Sequence, residues 1–461
     1  MTGKANSEWR EEWKTLDGGL RTGRYTDPDF TRLEYEKLWG EVWQFACRVD
    51  EVPNVGDYTT YDIGEQSAMI VRVDENTIQA FNNACPHRGT TLSDGSGSFE
   101  RNRIMCPFHG WKWDLDGSCN YVLERQEFNK GQLQLSDVNL RQVHTQVYAG
   151  FVFVSFSDNP QDFNEFIAPV RGHIDALRIG DMHHRWWRRV EGPCNWKVAQ
   201  EAFFEAFHVP TTHPQLDEPG RKTIYEDMPE TTFQHWDVSY EGLEGGHGRF
   251  FAASKVISDT KSKPTAETLE SMIEHMEHLI DELDTMVLPE DVEVAKSLRG
   301  LQVAEGSSWG AEFIKAVYAQ ATAQGRPMPD LTPDIAAQWG GEVFVFPNLL
   351  ILPNMGNSMI YRIRPLGDSP DQCIFEIFSV KTLPADEEPA RAECTLVTDA
   401  NDPEQLLLIP RQDFGNVPRI QKGLHTKGLK QVWLAGHQEV IIQNMHQWLD
   451  RYLGAPGAFE A

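Results

Sequence analysis

Cys85-Pro86-His87-Arg88-Gly89 and Cys106-Pro107-Phe108-His109-Gly110-Trp111 are the two stretches on which the reading of this chain turns. Each offers one thiol and one imidazole in a short loop closed by glycine, and 18 residues separate His87 from Cys106. Two such loops facing one another supply four ligands of mixed type. Zinc competes for them, because two Cys and two His also suit a tetrahedral Zn2+. The order of the ligands speaks against it. Zinc fingers pair Cys with Cys and His with His, whereas Cys-x-His on one loop and Cys-x-x-His on another let one iron of a [2Fe-2S] cluster take both cysteines and the other both histidines.

The flanking sequence is β-type. Runs such as SAMIVRV and TIQAFN, a turn at Asp74-Glu75-Asn76, a second turn at Asp116-Gly117 and the run VYAGFVFVSF predict a small β-domain over residues 45–155, closed by Ser157-Asp158-Asn159-Pro160. Ahead of it, DPDFTRLEYEKLWGEVW (27–43) opens on Asp27-Pro28 and places Phe30, Leu33, Leu38, Val42 and Trp43 near helical spacing. Residues 1–44 therefore read as a helical, N-terminal part of the same domain as residues 156–461. Beyond 155, residues 195–208 read as one helix ended by Pro210. Residues 215–340 read as a largely helical insertion in the domain over 156–461. Within it Leu269, Met272, Ile273, Met276, Leu279, Ile280, Leu283 and Met286 recur at three- and four-residue steps, a packed stripe with His275 and His278 on the solvated side. Three strand runs, VFVFPNLLIL, SMIYRIRP and CIFEIFSVKTL, suit an antiparallel sheet. A helical region from Asp402 onward ends in EVIIQNMHQWLDRYLG.

Composition narrows the function. The 461 residues carry 69 acidic against 42 basic side chains, a formal charge of -27 that repels nucleic acid and anionic lipid. The longest apolar runs, 147–156 and 343–353, fall far short of the roughly 20 residues needed to cross a bilayer. Residues 1–14 are polar, without the apolar core of a secretion signal, so a cytoplasmic protein is expected. Of the seven cysteines, Cys47, Cys119, Cys194, Cys373 and Cys394 have no partner at ligand spacing and read as small buried hydrophobes. No G-x-G-x-x-G follows a strand, so a nicotinamide donor must be oxidised by another protein.

CPHRG with CPFHGW closely resembles the Rieske motif. Replacing two thiolates by neutral imidazoles raises such a cluster to roughly -150 to +300 mV, against about -400 mV for an all-cysteine plant-type ferredoxin. Further along, NWKVAQEAFFEAFH runs into VPTTHP, giving His208 and His213. A pair of histidines plus a distant carboxylate makes a facial triad with open positions for O2 at Fe(II). This segment resembles the mononuclear-iron segment of Rieske non-heme iron aromatic-ring-hydroxylating oxygenases, large (alpha) subunit.

By that resemblance the third iron ligand is Asp413, in a segment whose Asp precedes Gln421-x-Gly423-Leu, with Asp399, Asp402 and Glu404 as competing acids. Glu205, where many relatives have Asp, then bridges His208 to His109 of the partner subunit. The resemblance implies an α+β fold in which a Rieske [2Fe-2S] β-domain is inserted in a helix-grip catalytic domain with an antiparallel sheet. It implies a [2Fe-2S] cluster, mononuclear Fe(II), a separate reductase with or without a ferredoxin, and a homotrimer with or without a small β subunit. The expected activity is O2-dependent hydroxylation of a hydrophobic, aromatic or polycyclic substrate against residues including Phe203, Phe207, Leu350 and Ile351. Ring dihydroxylation is favoured over monooxygenation or O-demethylation; a Rieske electron-transfer protein is the reading from a different class. The chain departs from the family at Ala202, where relatives often have Asn, and at an acidic helix over 265–288.

Overall fold

The computed structural model describes residues 9–217, 238–252, 264–330, 332 and 340–458. Two sheets dominate. A seven-stranded sheet runs, in spatial order, Gln44–Arg48, Phe151–Ser155, Gln142–Tyr148, Ile78–Asn82, Gln66–Arg72, Asp57–Ile63 and Ser96–Ser98. A three-stranded meander, Arg103–Met105, Lys112–Asp114 and Cys119–Tyr121, packs with it around a core that includes Cys85 and Cys106.

The second sheet has eight strands. In spatial order they are Val238–Gly242, Gly248–Ala252, Glu342–Val345, Leu349–Pro353, Asn357–Pro365, Cys373–Thr382, Met182–Gly192 and Cys394–Val397. Every pairing is antiparallel except the last. Alternation gives it two buried faces. Phe344, Leu350, Met359, Tyr361 and Phe375 face the helices Trp196–Glu201, Leu408–Leu424 and Val440–Leu453, while Val343, Ile351, Ile360 and Phe378 face the helix Phe163–Ala176 and the first sheet. The structure therefore joins a small β-domain to a larger domain of helices and mainly antiparallel sheet.

Several expectations change. The run VFVFPNLLIL is two strands, because Pro347 and Asn348 interrupt it and Asn348 binds the backbone of Phe45 in the first sheet through both side-chain atoms. The stretch 215–340 is not simply a helical insertion: Val238–Gly242 and Gly248–Ala252 are strands of the main sheet. Its residues 218–237, 253–263, 331 and 333–339 lie outside the described residues. The apolar stripe forms the helix Ala266–Leu283, with Met286 beyond its end, and His275 is half-buried where solvent was expected. The segment 27–43 is helical only over Pro28–Glu34 and the wider-wound turn Tyr35–Trp39. The C-terminal region contains the strand Gln431–Trp433, paired with Gly19–Arg21. Cys394 is exposed, since it lies on the edge strand.

Buried charge ties the sheets together. Arg362 pairs with both Glu376 oxygens at 2.7 and 2.8 Å across neighbouring strands and donates to the carbonyl of Ala46 in the first sheet. Burial alone would raise the Glu376 carboxyl, but Arg362 and Arg364 overcome it and hold the group at about 2, against 4.5 ordinarily. A depressed carboxylate stabilises the fold fully above its unfolded value and loses that contribution as pH falls through the folded one. Glu376→Gln is expected to cost about 3–5 kcal/mol in urea unfolding at pH 7. Between pH 4.5 and 2 the gap to wild type should close; a gap independent of pH would mean that Glu376 is not held as a carboxylate.

Candidate metal centres

The first centre is set by two loops of the same construction. Cys85 N–H binds Thr90 O at 2.8 Å and Gly89 N–H binds Cys85 O at 2.8 Å; Cys106 N–H binds Trp111 O at 2.9 Å and Gly110 N–H binds Cys106 O at 3.0 Å. Gly89 and Gly110 take φ of +79° and +68°, a conformation that side chains other than glycine disfavour. Asn83 pins the first loop, accepting from Leu92 and Ser93 N–H and donating to Ser93 O. Both cysteines are buried and both histidines half-buried, with ring centroids 4.6 Å apart and His87 stacked on Trp111 at 4.8 Å. Burial and the facing Cys106 thiol push Cys85 up to about 11, so a thiolate here calls for a cation.

Another set of metal-ligand atoms lies elsewhere among the described residues. Thiol facing thiol and imidazole beside imidazole is the donor set that two irons take. These residues fit a [2Fe-2S] cluster.

That other set is His208, His213 and Asp413, whose ligand atoms all lie within 4.8 Å of one another. The segment 195–208 is not one helix. Asn195 caps the helix Trp196–Glu201, accepting from Lys197 N–H, after which the chain turns and Pro210 opens the short helix Val209–Thr212. Glu205 makes that turn: its Oε2 accepts from His208 N–H at 2.9 Å and its Oε1 from His208 Nδ1 at 2.8 Å. His213 Nδ1 meets Gln412 Oε1 at 2.8 Å. Both Nε2 atoms are thereby turned to Asp413 Oδ1, at 3.7 Å from His208 and 2.9 Å from His213. Asp413 projects from the helix Leu408–Leu424, whose Gln421 accepts from Asn195 N–H at 3.1 Å and so fixes one ligand segment against the other. Burial disfavours the charged form of His208, yet Glu205 and then Asp413 outweigh it and raise the imidazole above its ordinary value. The donor set of two imidazoles and a carboxylate, with outer nitrogens held, fits Fe(II).

A cleft of about 440 Å3 lined by Glu205, His208, Thr212, Asp413 and Asn416 opens beside this set. Asp399 and Asp402 cap local turns instead. Of the expected apolar lining, Phe203 packs on Tyr361 at 4.6 Å and Leu350 shares that face, whereas Ile351 points to the opposite core and Phe207 is exposed. Gln412 escaped sequence reading; its adjacency to Asp413 was the available signal. Asp413→Ala is expected to lower iron from about three to about two per chain while the reduced cluster's EPR signal stays. Unchanged iron would remove Asp413 from the ligand set.

Residues 179–455 match the family described as ring hydroxylating alpha subunit (catalytic domain), and residues 42–133 that described as Rieske [2Fe-2S] domain. The glycine betaine monooxygenase oxygenase subunit of Chromohalobacter salexigens is 28% identical over 232 residues, 48% of this chain and 51% of that protein. The anthranilate 1,2-dioxygenase large subunit of Acinetobacter baylyi is 29% identical over 46% of this chain and 48% of its own length. The chain thus spans about half the length of these curated relatives. Among solved structures, the quaternary ammonium Rieske monooxygenase CntA with L-carnitine aligns with a TM-score of 0.62 at 17% identity, covering 94% of this chain and 95% of that one. Naphthalene 1,2-dioxygenase from Rhodococcus sp. bound to indole gives 0.62 at 18% identity, covering 95% of each. At such identities the likeness shows the fold. Among the described residues no helix is long and apolar enough to cross a membrane.

Proposed function

Because this chain belongs to the ring hydroxylating alpha subunit family and carries its Rieske domain, we propose that it is a terminal oxygenase component that hydroxylates an organic substrate with O2 and electrons from a separate reductase. The observation that carries this reading is the convergence of His208, His213 and Asp413, with Glu205 on the outer nitrogen of His208, in a chain that also holds the two cluster loops. An electron-transfer protein has no use for the second set.

When bound, the cluster supplies electrons singly and the iron supplies open positions for O2. The balance is RH + O2 + 2 e- + 2 H+ → ROH + H2O. Cys85 and Cys106 would hold one cluster iron, His87 and His109 the other. Glu205 and Gln412 accept hydrogen bonds from Nδ1–H of His208 and His213, which leaves both Nε2 lone pairs for the metal and fixes ring orientation. Glu205 also lines the open cleft. From there it would reach His109 of the partner subunit.

An assembly of copies is supported by two exposed apolar patches. Met105 and Phe108 lie beside and within the second cluster loop, and Ile420 and Trp433 line the cleft at the triad and its neighbour. A head-to-tail contact between unlike patches closes into a ring, as the homotrimer reading needs. Monooxygenation is the outcome we favour, on the likeness to the glycine betaine monooxygenase subunit; ring dihydroxylation has the likeness to the anthranilate enzyme.

The test is single turnover of the dithionite-reduced, iron-loaded protein with 18O2 and a panel of alkylamines and aromatic acids. A product bearing one or two 18O atoms decides between the outcomes, and no labelled product with any candidate would leave an electron carrier. Glu205→Gln is expected to keep both metal contents and slow cluster reoxidation roughly 10- to 100-fold.

A further inference from the structure

Glu342 begins an interior strand of the eight-stranded sheet, between Gly248–Ala252 and Leu349–Pro353. Strand alternation puts it on the face of Phe344, which packs against Phe204 at 4.3 Å beside the iron-ligand turn. Directly opposite it in register is Phe250, itself stacked on Tyr240 at 5.6 Å. Other deep acids of this fold have partners: Glu34 has Lys197, Glu376 has Arg362, Asp450 has Arg24, and Glu201 has the Tyr25 hydroxyl and His446. Glu342 has no hydrogen bond or ion pair with any described residue.

Its side chain is half-buried, on the sheet face that packs against the helix carrying Asp413. Burial lifts its carboxyl well above the ordinary range, so the unliganded fold bears a cost that a hydrophobic residue would avoid. The site adjoins the reaction centre: the Tyr361 phenol feels the charge of both Asp413 and Glu342, and its hydroxyl has only the Met359 sulfur, at 3.3 Å, among the described residues.

We propose that Glu342 is a specificity-determining residue on the sheet face behind the triad, and that it recognises a cationic nitrogen, an alkylammonium group held by this carboxylate beside the rings of Tyr240, Phe250 and Phe344. An ammonium supplies the missing counter-charge, and aromatic faces attract its diffuse positive charge where a hydrated cation would not fit. The inference rests on the oxygenase reading for the identity of the site's occupant, but not for its test.

Isothermal titration of the full metal-loaded chain compares choline with its neutral carbon isostere, 3,3-dimethyl-1-butanol, in wild type and Glu342→Gln. Wild type should bind choline roughly 30-fold or more tighter than the isostere, and E342Q should abolish that preference. E342Q should also melt no lower than wild type, because it removes a carboxyl whose ionisation burial opposes. A choline preference that survives in E342Q, no preference in wild type, or a lower melting temperature in E342Q would each overturn the proposal. Binding is read without reductase or turnover, so a failed oxygenase test leaves this result standing, and loss of the preference leaves the iron and cluster signals unchanged.

Discussion

The convergence of two imidazoles on the Asp413 carboxylate is the constraint on which the catalytic half depends. A buried carboxylate is costly unless positive charge or donors meet it, and here His208 and His213 come from a segment about 200 positions earlier in the chain. Holding them there requires that two helices be locked together. Gln421 does this by accepting from Asn195 N–H and donating to the carbonyl of Tyr25, while Asn195 caps its own helix. Lys197, two residues beyond that cap, is paired at 2.6 Å with Glu34 from the N-terminal helix. The NWK triplet and the Gln-x-Gly-Leu run are therefore two sides of one clamp. The polar residues of both are spent on fixing ligand geometry, and none of them touches a ligand atom.

How much of this was legible depended on how local each interaction is. The cluster loops could be read outright, because each thiol, imidazole and closing glycine lies within five residues of the next. His208 and His213 were visible as a pair, but Asp413 came only through resemblance, since no local pattern distinguishes a ligand acid from Asp402 at a turn. The expected single helix over 195–208 failed for a local reason of a different kind: Glu205 takes the His208 N–H that a helix would have given to a backbone carbonyl. Polar, interrupted sequence between 238 and 252 hid two strands that pair with each other and join the sheet only through Gly248–Ala252, whose other partner lies some ninety residues further on. Ile351 was assigned to the cavity by its hydrophobicity, and a one-residue change of parity sends it to the other core.

The buried charges fall into two kinds, and the difference separates structure from function. Arg362 with Glu376, Arg24 with Asp450 and Lys197 with Glu34 are closed pairs: each neutralises itself and ties elements distant in sequence. Their net contribution to stability is modest, but removing either member is costly. Asp413 and Glu342 are open in the opposite sense, since the first lacks a full complement of positive charge without a metal and the second has no cationic partner among the described residues. Open charges persist in a fold where something outside the chain closes them.

Position then divides the labour around the triad. Glu205 lies on the outer nitrogen of His208 and on the wall of the open cleft, so whatever reaches the iron through the ligand shell arrives from that side. Phe203, Tyr361 and Phe375 cover the inner side, against the sheet. An electron path and a substrate path that shared one mouth would expose the reactive centre to water whenever a partner undocked. On the oxygenase reading, Glu205 on the cleft side and Phe203, Tyr361 and Phe375 on the sheet side would put a partner's approach and a substrate's burial on opposite sides of the triad.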